Sequence, residues 1–261
     1  LRQVSLDAGP VDDDINVLLV IHPSNMTGPA RYQIDQFVLK GGRAMVFIDP
    51  LSEESARIPD PENPLAPKGS DLPDLLKAWG LGLVPGMLVA DSRAAQSVQT
   101  SDQGRPVVLP YLPWLLLEAP NFNLDEVATS QLGRITVRSA GRLEPIEDSE
   151  VEFVPLLQSS SESMMIERFY VQFGGNPKAL LEKFEPQGIR YTIAARLSGS
   201  VVSAFPNGPL NAEANSEGVR EPLGETPEGH IAESTEPINV IVVGDTDMLL
   251  DSAWVQGQQL L

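Results

Sequence analysis

Apolar residues in this chain gather into short blocks set between polar, proline-rich and glycine-rich stretches. Ile15, Val17, Leu18, Leu19, Val20 and Ile21 form a near-continuous run of strand length, the pattern of a strand buried on both faces. Asn25-Met26-Thr27-Gly28 then supplies turn and capping chemistry, and Pro29 suits a first helical turn. Ala30, Ile34, Phe37 and Val38 recur at helical spacing up to Gly41-Gly42, where glycine suits a C-terminal cap. Ala44, Met45, Val46, Phe47 and Ile48 open a second buried strand. Strand, helix and strand within about 35 residues predict a right-handed parallel crossover.

Further along, Leu72, Leu75, Leu76 and Trp79 predict a short amphipathic helix stopped by Gly80 and Gly82, followed by a strand over 87–90 that ends on Asp91. Residues 107–117 carry Pro110 and Pro113 and follow Pro106, so they read as an extended edge segment with short turns. Strands are predicted near 134–138, 151–157, 191–197 and 238–243, and a helix over 177–184. The predicted fold is α/β: one open, mostly parallel sheet flanked by helices, over residues 1–261 as a single domain. The sheet is expected to hold residues near 16–21, 43–48, 87–90, 152–157, 191–196 and 239–243. Two insertions interrupt it. Residues 50–73 contain six prolines among acidic residues and read as a flexible loop. Residues 206–237 hold five prolines, four glycines and seven glutamates against one arginine, and read as an acidic disordered insertion with His230 in solvent.

Charge narrows the choice of partners. Acidic residues outnumber basic ones 36 to 18, a net charge of −18 that repels nucleic acid and anionic lipid surfaces. The absence of cysteine excludes disulfides, thiol catalysis and thiolate zinc sites. No run approaches the roughly 18 apolar residues of a membrane span. The chain opens on Leu1 rather than methionine, and the expectation is a fragment of a longer membrane protein, attached only through segments outside this sequence.

Strand ends carry the candidate chemistry, since open α/β sheets present ligands there. Asp49, Asp91 and Asp245 each close a predicted strand, with Asp247 nearby. Clustered carboxylates suit magnesium or calcium, but aspartate after a strand also caps turns and helices. Asp245-Thr246-Asp247 resembles the carboxylate pair of haloacid-dehalogenase-type phosphatases, yet only 14 residues follow and none is lysine. His22 and Ser24 are elements of a triad without the G-x-S-x-G elbow, and with Asn25 they read as turn residues. His22, Ser24, Asn25, Asp49, Asp91, Asp245 and Asp247 therefore form a candidate ligand-binding crevice, with no catalytic residue, metal or cofactor predicted.

Four segments in order carry a family resemblance: Asn16-Val17-Leu18-Leu19-Val20-Ile21-His22-Pro23 through Gly41-Gly42-Arg43; Ala44-Met45-Val46-Phe47-Ile48-Asp49-Pro50; Leu75-Leu76-Lys77-Ala78-Trp79-Gly80-Leu81 leading to Val89-Ala90-Asp91; and Val240-Ile241-Val242-Val243-Gly244-Asp245-Thr246-Asp247-Met248-Leu249. Their order and spacing resemble the extracytoplasmic domain of the GldG-type auxiliary component of ABC transporters, a gliding-motility-associated family. The resemblance implies a membrane-anchored protein whose soluble part lies on the periplasmic or extracytoplasmic face of the bacterial inner membrane. It also implies a fold like class I glutamine-amidotransferase domains, without the cysteine those enzymes use. The implied partners are ABC permease and ATPase subunits, and the implied role is a non-enzymatic accessory domain that binds a partner subunit or a transported ligand. A divergent metal-dependent hydrolase using the aspartates, or a glycan- or peptide-binding domain, remains open as an alternative.

Overall fold

The first strand alternates instead of being buried throughout. In β1 (Val17–Ile21), Leu18 and Val20 are buried while Val17, Leu19 and Ile21 stay exposed. The cause is position: β1 is the outermost strand of its sheet, and α1 (Gly28–Leu39) covers one face of it. The computed structural model describes residues 1–7, 9–58, 68–211 and 220–254. α1 begins where Thr27 Oγ1 accepts the Ala30 N–H at 3.1 Å, and it ends at Lys40 with Gly41 at φ +91°. β2 (Arg43–Phe47) runs parallel to β1, from Val17 opposite Arg43 to Ile21 opposite Phe47, so the crossover read from the sequence forms.

The chain continues through α2 (Glu53–Arg57), α3 (Pro73–Ala78), β3 (Leu81–Leu83) and β4 (Met87–Asp91). β5 (Ala95–Asp102) and β6 (Arg105–Leu117) make a hairpin, followed by β7 (Ile135–Arg138), β8 (Leu143–Pro145), β9 (Glu152–Gln158) and β10 (Ser163–Glu167). Then come α4 (Phe169–Gln172), α5 (Pro177–Glu182), β11 (Thr192–Gly199), β12 (Ile238–Val243) and α6 (Asp251–Trp254).

These strands do not form the expected architecture. The principal sheet runs β1-β2-β12-β11-β8-β3, with β9 also paired to β11. Only β1, β2 and β12 are mutually parallel; β11 is antiparallel to β12, β9 and β8. The molecule is mostly β with mixed sheets, not a helix-flanked parallel α/β sheet of the amidotransferase kind. Parallel neighbours need long crossovers, usually helical, and among the described residues every helix after α1 has four to six residues. Residues 87–90, expected in the principal sheet, instead pair as β4 with β10 in a separate two-stranded sheet.

The third sheet, β5-β6-β7, also departs from expectation. β6 is one strand of 13 residues despite its prolines. Pro106 and Pro110 lie where β6 has β5 as its partner, because β7 pairs only with Trp114 to Leu117. A missing N–H costs least where one side of a strand is open.

The described ends of the 206–237 stretch rest on α1. The His230 ring stacks on Tyr32 with centroids 5.8 Å apart, so it is not simply in solvent. Gln36 takes the Ile231 N–H at 2.7 Å and returns a bond to the Ile231 carbonyl at 2.9 Å. The middle of that stretch, 212–219, and residues 59–67 of the proline-rich loop lie outside the described residues.

Candidate functional site

At the carboxyl ends of β2 and β12 the sequence places Asp49, Asp245 and Asp247, all buried. Asp49 Oδ2 accepts the Thr246 N–H at 2.9 Å and the Thr246 hydroxyl at 2.7 Å, while Oδ1 accepts the Leu51 N–H at 2.9 Å. Asp245 accepts the backbone N–H groups of Arg138 at 2.5 Å and Met248 at 3.0 Å. Asp247 accepts from Ser52 Oγ at 3.2 Å and from the N–H groups of Glu53 at 2.6 Å and Glu54 at 3.4 Å. Each carboxylate is thus spent on the turn, strand or helix beside it. Among the described residues no group of three or more His, Cys, Asp or Glu is arranged to hold a metal ion.

Burial raises the affinity of this cluster for protons. Asp49 is pushed up to about 8, mainly by desolvation, with Thr246 opposing and the Asp247 charge adding. Asp245 is raised well above the ordinary carboxylate range by burial and by Asp49. Two buried carboxylates this close titrate as a pair rather than singly.

His22 joins the cluster from β1. It has φ +49°, and its Nε2 lies 3.3 Å from Ser55 Oγ on α2. Burial lowers its pKa, with Asp247 pulling the other way. The serine that meets this histidine is therefore Ser55, not Ser24. The pair falls short of a relay, because among the described residues His22 Nδ1 is buried without a hydrogen-bond partner and Asp247 already serves Ser52, Glu53 and Glu54. Ser24 and Asn25 are exposed in the turn after β1, and neither side chain makes a hydrogen bond among the described residues. Asp91 is engaged elsewhere, accepting from Arg93, Ala94 and both the N–H and hydroxyl of Ser160.

So the structure gathers His22, Asp49, Asp245 and Asp247 and leaves Ser24, Asn25 and Asp91 apart. The crevice over the gathered four is filled by α2, whose Ser52 side chain accepts the Ser55 N–H at 3.2 Å. A cavity of about 220 Å³ reaches Asp49 from the side of Ser70, Leu83 and Arg168, and a larger space lies beside α2. There a cleft of about 390 Å³ is bounded by Glu53 and Arg57 of α2, by Val98, Gln99 and Thr100 of β5, and by Tyr111 and Trp114 of β6. Trp114 is held from two sides: its Nε1 donates to Glu53 Oε1 at 2.6 Å, and the Arg138 guanidinium lies 4.8 Å from its ring centroid. Tyr111 meets it edge-on at 5.4 Å, and burial raises the Tyr111 phenol, with the Glu53 charge adding. Among the described residues β5 pairs with β6 alone, which leaves its outer edge without a strand partner beside the cleft. The sequence signal for this wall was the Gln103-Gly104 turn, with φ of +52° and +79°, which joins two alternating strands.

The site thus combines a mixed β scaffold, carboxylates bonded to their own turns, and a cleft floored by Tyr111 and Trp114. The chain belongs to the family described as "ABC-type uncharacterized transport system", whose profile matches residues 1–260, and is thereby an auxiliary component of an ABC-type transport system. No curated protein matches the sequence. Among solved structures it is similar to the "mmIFT52 N-terminal domain", at 10% identity and a TM-score of 0.41, over 92% of this chain and 70% of that one.

Proposed function

We propose that this chain is a non-enzymatic accessory domain that binds an extended peptide segment of a partner subunit in its ABC-type system, on the extracytoplasmic side of the membrane. The carrying observation is the open edge of β5, eight residues long, running beside the cleft floored by Tyr111 and Trp114. An unpaired edge gives main-chain hydrogen bonds to an added strand, and the cleft gives alternate side chains a place to sit. Trp114 supports the reading because its anchoring by Glu53 leaves little side-chain entropy to lose on binding. No helix among the described residues is long and apolar enough to cross a membrane.

The test is co-purification of the full-length parent from its native membranes after mild crosslinking. Recovery of permease and ATPase subunits with the natural sequence, and their loss with Gln172→Trp on the cleft wall, is the expected result. Absence of transporter subunits where other membrane complexes survive sinks the proposal. Equal recovery with the variant sinks the cleft as the contact.

A further inference from the structure

A second cavity lies away from the strand-end site, between the β4–β10 sheet and the α4–α5 helices. It measures about 330 Å³ and is walled chiefly by Met87, Met164, Met165, Ile166 and Leu180. Three methionines in one wall make it adaptable, because the unbranched thioether repacks around a guest more easily than a β-branched side chain does. The volume stands at the low end of the roughly 300–1,000 Å³ typical of ligand pockets, enough for part of one linear apolar chain.

Charges on the same wall narrow the guest. The Lys183 ammonium sits 4.7 Å from the Tyr170 ring centroid and makes no ion pair among the described residues. Glu167 lines the same cavity, and its carboxylate is likewise without an ion pair there. One free cation and one free anion at the mouth of an apolar cavity complement a head group that carries both signs. A net charge of −18 points the same way, since it disfavours purely anionic head groups.

Beside the mouth, α4 and the residue after it expose Phe169 at 65%, Tyr170 at 45% and Phe173 at 64%. Phe169 meets Tyr170 and Phe173 edge-on, at 6.2 and 5.8 Å, so the rings form one patch. Single exposed apolar residues are ordinary, whereas three rings in contact mark a surface that meets an apolar phase. Tyr170, an apolar ring with a polar hydroxyl, suits the membrane–water interface, and exposed Phe rings bury at its acyl boundary.

We propose that this cavity takes the acyl chain of a zwitterionic single-chain lipid. The phosphate meets Lys183, the ammonium meets Glu167, and Phe169 and Phe173 rest in the interface of the membrane that supplies it. Calorimetric titration of the whole chain with submicellar dodecylphosphocholine tests this, with phosphocholine and dodecanoate as the head-only and anionic comparisons. Saturable one-to-one binding of dodecylphosphocholine is expected, at least tenfold tighter than dodecanoate, with no binding of phosphocholine. Met165→Glu and, independently of any packing defect, the exposed Lys183→Glu are each expected to weaken it tenfold or more. In flotation with phosphatidylcholine vesicles, Phe169→Ser with Phe173→Ser is expected to abolish association. Absence of saturable binding overturns the proposal, as does unchanged affinity in a folded Lys183→Glu. Dodecanoate binding as tightly as dodecylphosphocholine overturns the head-group assignment, and capture of an apolar peptide without any lipid overturns the ligand class.

Discussion

Glu53 donates its backbone N–H to Asp247 at 2.6 Å across 194 residues of sequence. That bond, with those from Ser52 and Glu54, holds the start of α2 against the turn after β12. α2 in turn forms one wall of the cleft floored by Tyr111 and Trp114, so the Asp247 carboxylate anchors a wall of that cleft.

Replacing that carboxylate loosens the helix. Asp247→Ala leaves the first-turn N–H groups of α2 without their acceptor, at an expected cost of about 1–3 kcal/mol. Urea unfolding measures the loss, and faster amide exchange at Glu53 and Glu54 locates it. Unchanged exchange at those two amides counts against this anchoring role.

Two opposed contributions make stability depend on pH. The folded-state pKa of Asp49 lies above its ordinary value, so its neutral form is favoured by folding. The stabilisation is complete below the ordinary 3.8 and is lost as pH rises towards about 8. Asp245 acts in the same direction. His22 is lowered, so its contribution is present above the ordinary 6.5 and is lost as pH falls. Melting temperature is expected to decline as pH rises from the ordinary 3.8 of Asp49 towards about 8. Asn at position 49 should flatten that decline in part, leaving the share due to Asp245. His22→Gln should soften the acid side. A profile identical to the natural one in Asp49→Asn refutes the assignment.

Glu53 holds two donors with one oxygen, Trp114 Nε1 at 2.6 Å and the Ser139 hydroxyl at 2.5 Å. Glu53→Ala strips both of their acceptor and is expected to cost about 1–3 kcal/mol. It should also shift tryptophan emission as the ring is released. Glu53→Gln keeps a carbonyl oxygen in place and is expected to lose less. Equal effects of the two substitutions would point to lost packing rather than lost hydrogen bonds.

Close packing at Gly28 gives a sharper steric test. A Cβ there would meet the Leu210 carbonyl oxygen at 1.8 Å, so either α1 or the 210 segment must shift. Gly28→Ala is expected to destabilise by about 1–3 kcal/mol and to speed proteolysis near Leu210. Gly133, with nothing within 4 Å of its added Cβ, is the control, and its alanine variant should be nearly neutral. Matching stability in the two variants contradicts the contact.

The first third of the chain was legible because its signals are local. Thr27 and Pro29 open α1, Gly41 closes it, and the two apolar runs beside it leave few partners for each other. The apolar run over 87–90 was equally visible, but composition does not say which strand it pairs with. Met164 and Ile166, sitting after a polar serine turn, gave little warning that β10 would take that place. Residues 107–117 were legible as extended chain, but Pro110 and Pro113 suggested turns where β6 is one strand, since the sequence does not reveal that part of a strand has one neighbour. At the site, strand-end aspartates were found by position. Their partner α2 was not, because Ser52-Glu53-Glu54-Ser55 sits inside a stretch whose prolines outweigh its capping signal.

β12 lies between β2 and β11, yet it is the last strand of the described chain. During synthesis β1, α1 and β2 must therefore wait, with one side of β2 unpaired, until residues 238–243 have left the ribosome. Such long-range closure slows folding and prolongs exposure of an adhesive strand edge. The half-made chain is consequently the state most exposed to association through the β2 edge, and the pairing of β12 closes that edge.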